Sequence, residues 1–169
     1  VLSAGVPGLV RGLYQFHQTH GKLPWKQVLA PAIALANNGF LVNEEVARAI
    51  DKTKEKLSKD LAMSELFLPA GPLKKGDTLK QVDLGESLRL IGELGESAFY
   101  KGAIAKKIIK HQEQNGGAIT AQDLAQYKVQ VRKPLQGQFQ GYDVYSMPPP
   151  SSGGVHLLQM LNMLEEDSL

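Results

Sequence analysis

The sequence predicts an α+β chain, mostly helical over residues 1–127 and closing with a β-hairpin and a final helix over residues 128–169. Through the first region, apolar residues recur at helical spacing between glycine, asparagine and proline punctuation. From Lys128 onward, Val129, Val131, Leu135, Phe139, Tyr142, Val144 and Tyr145 fall in near alternation, the period of strands, with Gly141 breaking the run. Beyond a proline run, Val155, Leu158, Leu161, Met163 and Leu164 return to helical spacing. Together the two regions are expected to make one partial domain.

Each element has its own justification. Pro7 and Gly8 open a pattern of Val10, Leu13, Tyr14 and His17, and Gly21 supplies the stop. Leu23-Pro24-Trp25 starts a second apolar stretch through Val28, Leu29, Ile33, Leu35 and Ala36 to the terminator Asn37-Asn38-Gly39. Pro31 is expected to kink or divide it, because proline has no N–H to donate and clashes with the preceding turn. Asn43 fits an N-cap, Glu44 and Glu45 place negative charge at the positive end of the helix dipole, and Val46, Ile50 and Leu57 share one side. The exposed face then carries Arg48, Lys52, Lys54 and Lys56.

From Leu66 to Gln81, the residues Pro69, Gly71, Pro72 and Gly76 make turn formers too frequent for a helix, so an irregular or extended loop is expected. Asp83 with Glu86 matches a capping box before the stripe Leu84, Leu88, Ile91 and Leu94, which ends at Gly95. Phe99-Tyr100-Lys101-Gly102 reads as a break before a helix of Ile104, Ala105, Ile108 and Ile109, closed by Gly116-Gly117. Thr120 to Asp123 start a short helix through Leu124 and Tyr127. Two or three strands follow, and the last helix begins near Ser152 or Gly153. A hairpin with so little sheet around it is marginal alone, since open strand edges want partners. That is a first sign that more polypeptide belongs with this chain.

Composition narrows the function classes. The chain has 169 residues, 43% hydrophobic and 21% charged, the balance of a globular domain with a real core. No run approaches the roughly 18 apolar residues of a membrane span. Val1-Leu2-Ser3-Ala4-Gly5 lacks the basic and apolar regions of a signal peptide. A soluble chain is expected. Its net charge of +2 comes from 19 basic and 17 acidic residues scattered along the sequence, whereas a phosphate-tracking surface needs them clustered. Neither nucleic acid nor membrane is an expected partner. The absence of cysteine excludes disulfides, thiolate metal sites and a cysteine nucleophile, and it leaves the compartment open.

Several residues invite a chemical reading. Ser151 and Ser152, followed by Gly153 and Gly154, can be read as a nucleophile at a helix N-terminus, with His156 as its base. Geometry favours a turn and helix cap instead, because a cap side chain turns back toward the helix and a triad base normally comes from a separate element. The glycines have a structural reason too, the close approach of backbone to backbone. His17 and His20, three apart, lack a third ligand nearby, and His111 sits alone on a polar face. No metal or other cofactor is expected. Glu165, Glu166 and Asp167 point in different directions on a helix and read as a solvated run. Lys74-Lys75-Gly76-Asp77 lacks the glycine framework of a phosphate loop and reads as a basic turn. No nucleophile with an oriented base emerges.

Five blocks, taken together, carry a resemblance. They are Gly5-Val6-Pro7-Gly8-Leu9-Val10-Arg11-Gly12, Leu29-Ala30-Pro31-Ala32-Ile33, Pro72-Leu73-Lys74-Lys75-Gly76-Asp77-Thr78-Leu79, Phe99-Tyr100-Lys101-Gly102, and Tyr142-Asp143-Val144-Tyr145-Ser146-Met147-Pro148-Pro149-Pro150-Ser151-Ser152-Gly153-Gly154. Their order and spacing resemble the C-terminal half of the large subunit of bacterial γ-glutamyltranspeptidases, with the last block the most specific.

The resemblance implies an N-terminal nucleophile hydrolase fold with layers α, β, β and α, made as a precursor that cuts itself into large and small subunits. It implies that the small subunit is the partner and that its N-terminal threonine attacks the γ-glutamyl amide of glutathione. The free α-amino group of that threonine serves as the base. Val1 has no hydroxyl, and the nearest approach to the family's Thr-Thr-His start, Thr19-His20, is followed by Gly21. The resemblance places the oxyanion serines and glycines in the small subunit and the carboxylate-binding arginine upstream; Arg11 does not match that position. The expectation is therefore no catalytic, substrate-binding or metal residue in this chain, which alone is inactive. Bacterial relatives imply a periplasmic or secreted protein. Alternatives are a cephalosporin or glutaryl acylase of the same fold, or a non-catalytic module that binds a partner through its strand edges.

Overall fold

The computed structural model describes residues 4–166. Contacts divide the chain into two units, Val1–Lys128 and Val129–Leu169.

In the first unit, helix α1 (Leu9–His20) follows Gly8, and helix α2 (Trp25–Asn38) follows Pro24. A two-residue strand, β1 (Phe40–Leu41), pairs antiparallel with β2 (Thr78–Leu79). Between them lie α3 (Glu44–Leu57) and α4 (Leu61–Phe67). After β2 come α5 (Val82–Leu94), α6 (Ser97–Tyr100), α7 (Ala103–Gln114) and α8 (Ala121–Gln126). Buried Tyr100, Ala105, Ile119 and Leu124 form a core, with Val6, Val10, Phe99, Ile108, Ile109 and Tyr127 packed around it. Among the described residues no helix is long and apolar enough to cross a membrane.

Local chemistry explains most of these boundaries. The Asn43 side chain accepts the Val46 N–H at 2.8 Å, as a cap should. Thr120 and Asp123 form a reciprocal capping box. Gly95 ends α5 at φ +66°, a conformation that favours glycine, and a Cβ there would lie 2.9 Å from the Tyr14 hydroxyl oxygen.

Four expectations are corrected. Pro31 does not divide α2, which runs unbroken past it. The helix is pinned to α5 on both sides of the proline. The Trp25 indole N–H donates to the Ile91 carbonyl at 3.0 Å, and Lys26 reaches Glu93 at 3.2 Å. Farther on, Asn37 meets Gly85 so closely that a side chain would collide. Packing thus offsets the lost hydrogen bond.

Asp83 and Glu86 form no capping box, because α5 starts at Val82, where the Gln81 N–H is tied to the Ala36 carbonyl at 2.9 Å. Asp83 therefore lies inside the helix, and Glu86 instead accepts from Arg89 at 2.7 Å. Leu66 and Phe67 are helical, ending α4, whose cap Asp60 accepts the Met63 N–H at 2.9 Å. Of Phe99-Tyr100-Lys101-Gly102, read as a break, the first two residues are helical and end the short α6. Its ladder includes Tyr100 N–H to the Glu96 carbonyl at 3.1 Å, because burial of Ala98 and Tyr100 favours the turn.

The second unit is a hairpin of β3 (Leu135–Phe139) and β4 (Tyr142–Ser146) with helix α9 (Gly153–Glu166). Register pairs Leu135 with Ser146, Gly137 with Val144 and Phe139 with Tyr142 on one face. The other face joins Gln136 to Tyr145 and Gln138 to Asp143 by side-chain hydrogen bonds of 3.2 Å each. Gln140 and Gly141, at φ +48° and +80°, make the tight turn that matches strand twist. Among the described residues no third strand joins the hairpin: Val129 and Val131 lie outside regular structure, and Val131 is 85% exposed. Alternation alone cannot make a strand without a partner edge.

Two outcomes test this reading. In the whole protein, Gly154→Ala is expected to cost about 1–3 kcal/mol, since its Cβ would overlap the Met147 carbonyl oxygen, whereas exposed Gly153→Ala is near neutral in thermal melting. The Thr120 hydroxyl and N–H hold the Asp123 carboxyl below its usual range. A depressed carboxylate stabilises the fold above its ordinary range and loses that contribution as pH falls through the lowered folded-state value. Asp123→Asn should therefore flatten the acid limb of a pH–melting curve.

Candidate functional site

The Ser-Ser-Gly-Gly element is built as a joint between strand and helix. After β4, the Pro148 carbonyl accepts the Ser151 N–H at 3.2 Å and closes a turn around a cis Pro149–Pro150 bond. Ser152 precedes α9, and its carbonyl accepts the His156 N–H at 3.0 Å, so it begins the helix through its backbone. Ser151, Ser152 and His156 are exposed, and among the described residues no hydrogen bond joins the imidazole to either hydroxyl. Of the two glycines, only Gly154 has the expected close approach of backbone to backbone: it is buried under the Met147 carbonyl, while a Cβ on Gly153 would meet only the Ser151 hydroxyl, at an ordinary 3.7 Å.

The remaining candidates are likewise occupied by local structure. His17 Nε2 lies 2.8 Å from the Leu23 carbonyl, which makes it the protonated nitrogen, and the ring packs on Trp25 at 5.0 Å. His17 Nδ1 is shut in without a partner. His20 turns toward Phe16 at 4.8 Å, and among the described residues no group of three metal-ligating side chains forms. His111 is exposed near the end of α7, where its carbonyl accepts from the Asn115 amide at 2.8 Å. The Asp77 carboxylate takes the Lys74 N–H at 2.7 Å, closing the basic turn on itself, and Lys75 lies 3.8 Å from Glu44. Glu165 accepts the Gln140 N–H at 3.1 Å, while Asp167 lies outside the described residues.

What the structure brings together is a cluster centred on Arg11. Its Nε donates to Glu96 at 3.1 Å, Nη1 donates to the Tyr127 carbonyl, and the guanidinium lies 4.1 Å above the Tyr100 ring. The Arg11 N–H donates to the Tyr100 hydroxyl at 3.2 Å, and that hydroxyl donates to the Pro7 carbonyl at 2.7 Å. Burial pushes the Tyr100 phenol up, keeping it a neutral donor. Tyr127 stacks on Tyr100 at 6.0 Å. Every donor direction of the arginine that the cluster uses serves the fold. Sequence gave no hint of this, because the partners lie 85 to 116 residues away from Arg11.

A second feature is apolar surface on α9. Val155, Leu158 and Leu161 are half-buried, with Leu158 against Gly137. On the other side, Met160, Met163 and Leu164 are 51%, 61% and 53% exposed. With apolar residues on both of these sides and polar His156, Gln159 and Asn162 confined to the stripe between them, α9 presents apolar surface of the kind a larger structure buries.

The sequence profile of the Gamma-glutamyltranspeptidase family matches residues 1–169. The chain belongs to the γ-glutamyltranspeptidase family. It is 47% identical over 167 residues to the glutathione hydrolase proenzyme of Escherichia coli (strain K12), covering 97% of this chain and 29% of that one. The crystal structure of Helicobacter pylori γ-glutamyltranspeptidase superposes with a TM-score of 0.96 at 39% identity, covering 99% of this chain and 49% of that one. The fold is thus that of a segment of an N-terminal nucleophile hydrolase. An acylase ACY 1 proenzyme of Pseudomonas sp. (strain SE83) is 39% identical over 164 residues, covering 96% of this chain and 29% of that one. The chain spans less than a third of the length of these curated relatives.

Within this γ-glutamyltranspeptidase segment, Arg11→Met should lower stability by about 2–3 kcal/mol, since it strands the Tyr127 carbonyl and the Glu96 carboxylate. Arg11→Lys should recover less than half of that, because an ammonium cannot reach both acceptors while lying flat on a ring. Chemical denaturation of the three proteins checks the order.

Proposed function

We propose that the whole protein is a γ-glutamyltransferase and glutathione hydrolase. In that reaction an N-terminal threonine hydroxyl attacks the γ-glutamyl amide carbon, the threonine's amine takes the hydroxyl proton and passes it to the leaving amine, and water or an amino acid or peptide then accepts the acyl group. The observation that carries the reading is the family match along all 169 residues, joined to high identity with a glutathione hydrolase proenzyme. The proenzyme name of that relative supports a self-cleaved precursor whose small subunit is this chain's partner. Residues 1–127 act as its mainly helical part and residues 128–169 as its hairpin, turn and helix. Export to the periplasm or the exterior belongs to the same reading.

In this proposal the present chain is scaffold and contributes no catalytic, substrate-binding or metal residue. The exposed apolar side of α9, Met160, Met163 and Leu164, supports that role, because it has the composition of a buried interface. Acylase chemistry is the second reading, favoured by the 39% identity to an acylase proenzyme.

Turnover of γ-glutamyl and glutaryl anilides by the whole protein separates the two. The first reading expects at least about a hundredfold preference for the γ-glutamyl compound, because a site built to pair the α-amino and α-carboxylate groups rejects an analogue lacking one of them. Preference for the glutaryl compound would overturn it. The double variant Ser151→Ala/Ser152→Ala should keep kcat within about threefold, and loss comparable to removal of the threonine hydroxyl would refute the scaffold role.

A further inference from the structure

The cleft between α7 and α8 is unused by anything described so far. It encloses about 460 Å³ and lies directly over the core, with Ala105 and Ile109 on one wall and Ala121 and Ala125 on the other. The alanines matter because larger side chains there would fill the furrow. Its rim is charged: Lys101, Lys106 and Lys110 stand against one carboxylate, Glu113. Among the described residues none of these three lysines is ion-paired, although lysines 26, 54 and 75 all are.

The charges are also graded along the cleft. Lys101 and Lys106 lie at the N-terminal end of α7, where the helix dipole adds positive potential, and Glu113 lies at the other end beside Lys110. An apolar trough with a cationic end and a nearly neutral end selects a molecule with one anionic head and an apolar tail. Its volume suits a small molecule. A cationic amphiphile would meet repulsion at the head position, and a polar anion would leave the trough wet.

We infer that the α7–α8 cleft binds a monoanionic amphiphile, its carboxylate at Lys101 and Lys106 and its aliphatic chain along Ile109, Ala121 and Ala125. This site does not depend on the proposed activity.

The test uses the whole protein and a decanoic acid carrying a photoreactive diazirine at its tail, at concentrations below micelle formation. Irradiation should label the stretch from Ile109 to Ala125, and unlabelled decanoate should compete while decyltrimethylammonium does not. Lys101→Glu/Lys106→Glu should reduce labelling by at least about fivefold, the effect of reversing two exposed charges. Ala121→Leu/Ala125→Leu should reduce it similarly by filling the trough, with the melting temperature of each variant confirming that it folds. Labelling elsewhere, equal competition by the cation, or unchanged labelling in both folded variants would overturn the inference. The first of these is also the result expected if another protein segment, such as an acidic peptide, covers the cleft.

Discussion

The first unit depends on one guanidinium. Arg11 touches Glu96 beside α6, the ring of Tyr100 at the end of α6, and the carbonyl of Tyr127 just past α8. Helix α1 is thereby tied to elements far along the chain by directional bonds. A charge so little exposed is tolerable because Nε and Nη1 each have an acceptor, one of them a carboxylate, and the aromatic face supplies further compensation. Tyr100 completes the arrangement: its hydroxyl is both acceptor for Arg11 and donor to Pro7, and its ring is core. The close fit of Gly8 against the Tyr127 hydroxyl follows from the same convergence, since a side chain there would force the stack apart.

A second tie joins α2 to α5. Trp25 hydrogen-bonds Ile91, Lys26 pairs with Glu93, and Asn37 sits against Gly85. The Lys26 ammonium, and then the Arg89 guanidinium, hold the Glu93 carboxyl below its usual range. These exposed ion pairs are screened by salt and set orientation more than stability. The half-buried indole bond and the glycine contact involve no net charge and are little affected by salt, and they explain why a proline survives inside α2.

In the second unit the controlling constraint is the closeness of α9 to the hairpin. Gly137 lets Leu158 down onto the strand, and Gly154 lets the helix start pass under the Met147 carbonyl. The proline turn and serine residues between them set the direction of the chain. Read this way, the most family-specific run of the sequence is a geometric joint, and its hydroxyls need no chemical role to account for it. The cleft between α7 and α8 has the opposite character, a place where small residues leave space rather than close it.

The sequence by itself determined what depends on near neighbours. Helix stops at Gly39, Gly95 and Gly116, the caps Asn43 and Thr120, and the tight turn at Gly141 are all local chemistry, and each was legible. So was the family, because the ordered blocks preserve backbone requirements such as the Pro-Pro-Pro-Ser-Ser-Gly-Gly joint. Only the tertiary structure decided that α2 runs through Pro31, that α5 begins at Val82 and not at an Asp83 cap, and that Val129 and Val131 stay out of the sheet. For the two helices a distant partner outweighed a local preference, and for the two valines no partner edge is present among the described residues. Arg11 is the clearest instance: nothing adjacent to it signals a buried cation, since the groups that make burial tolerable are brought to it only by folding.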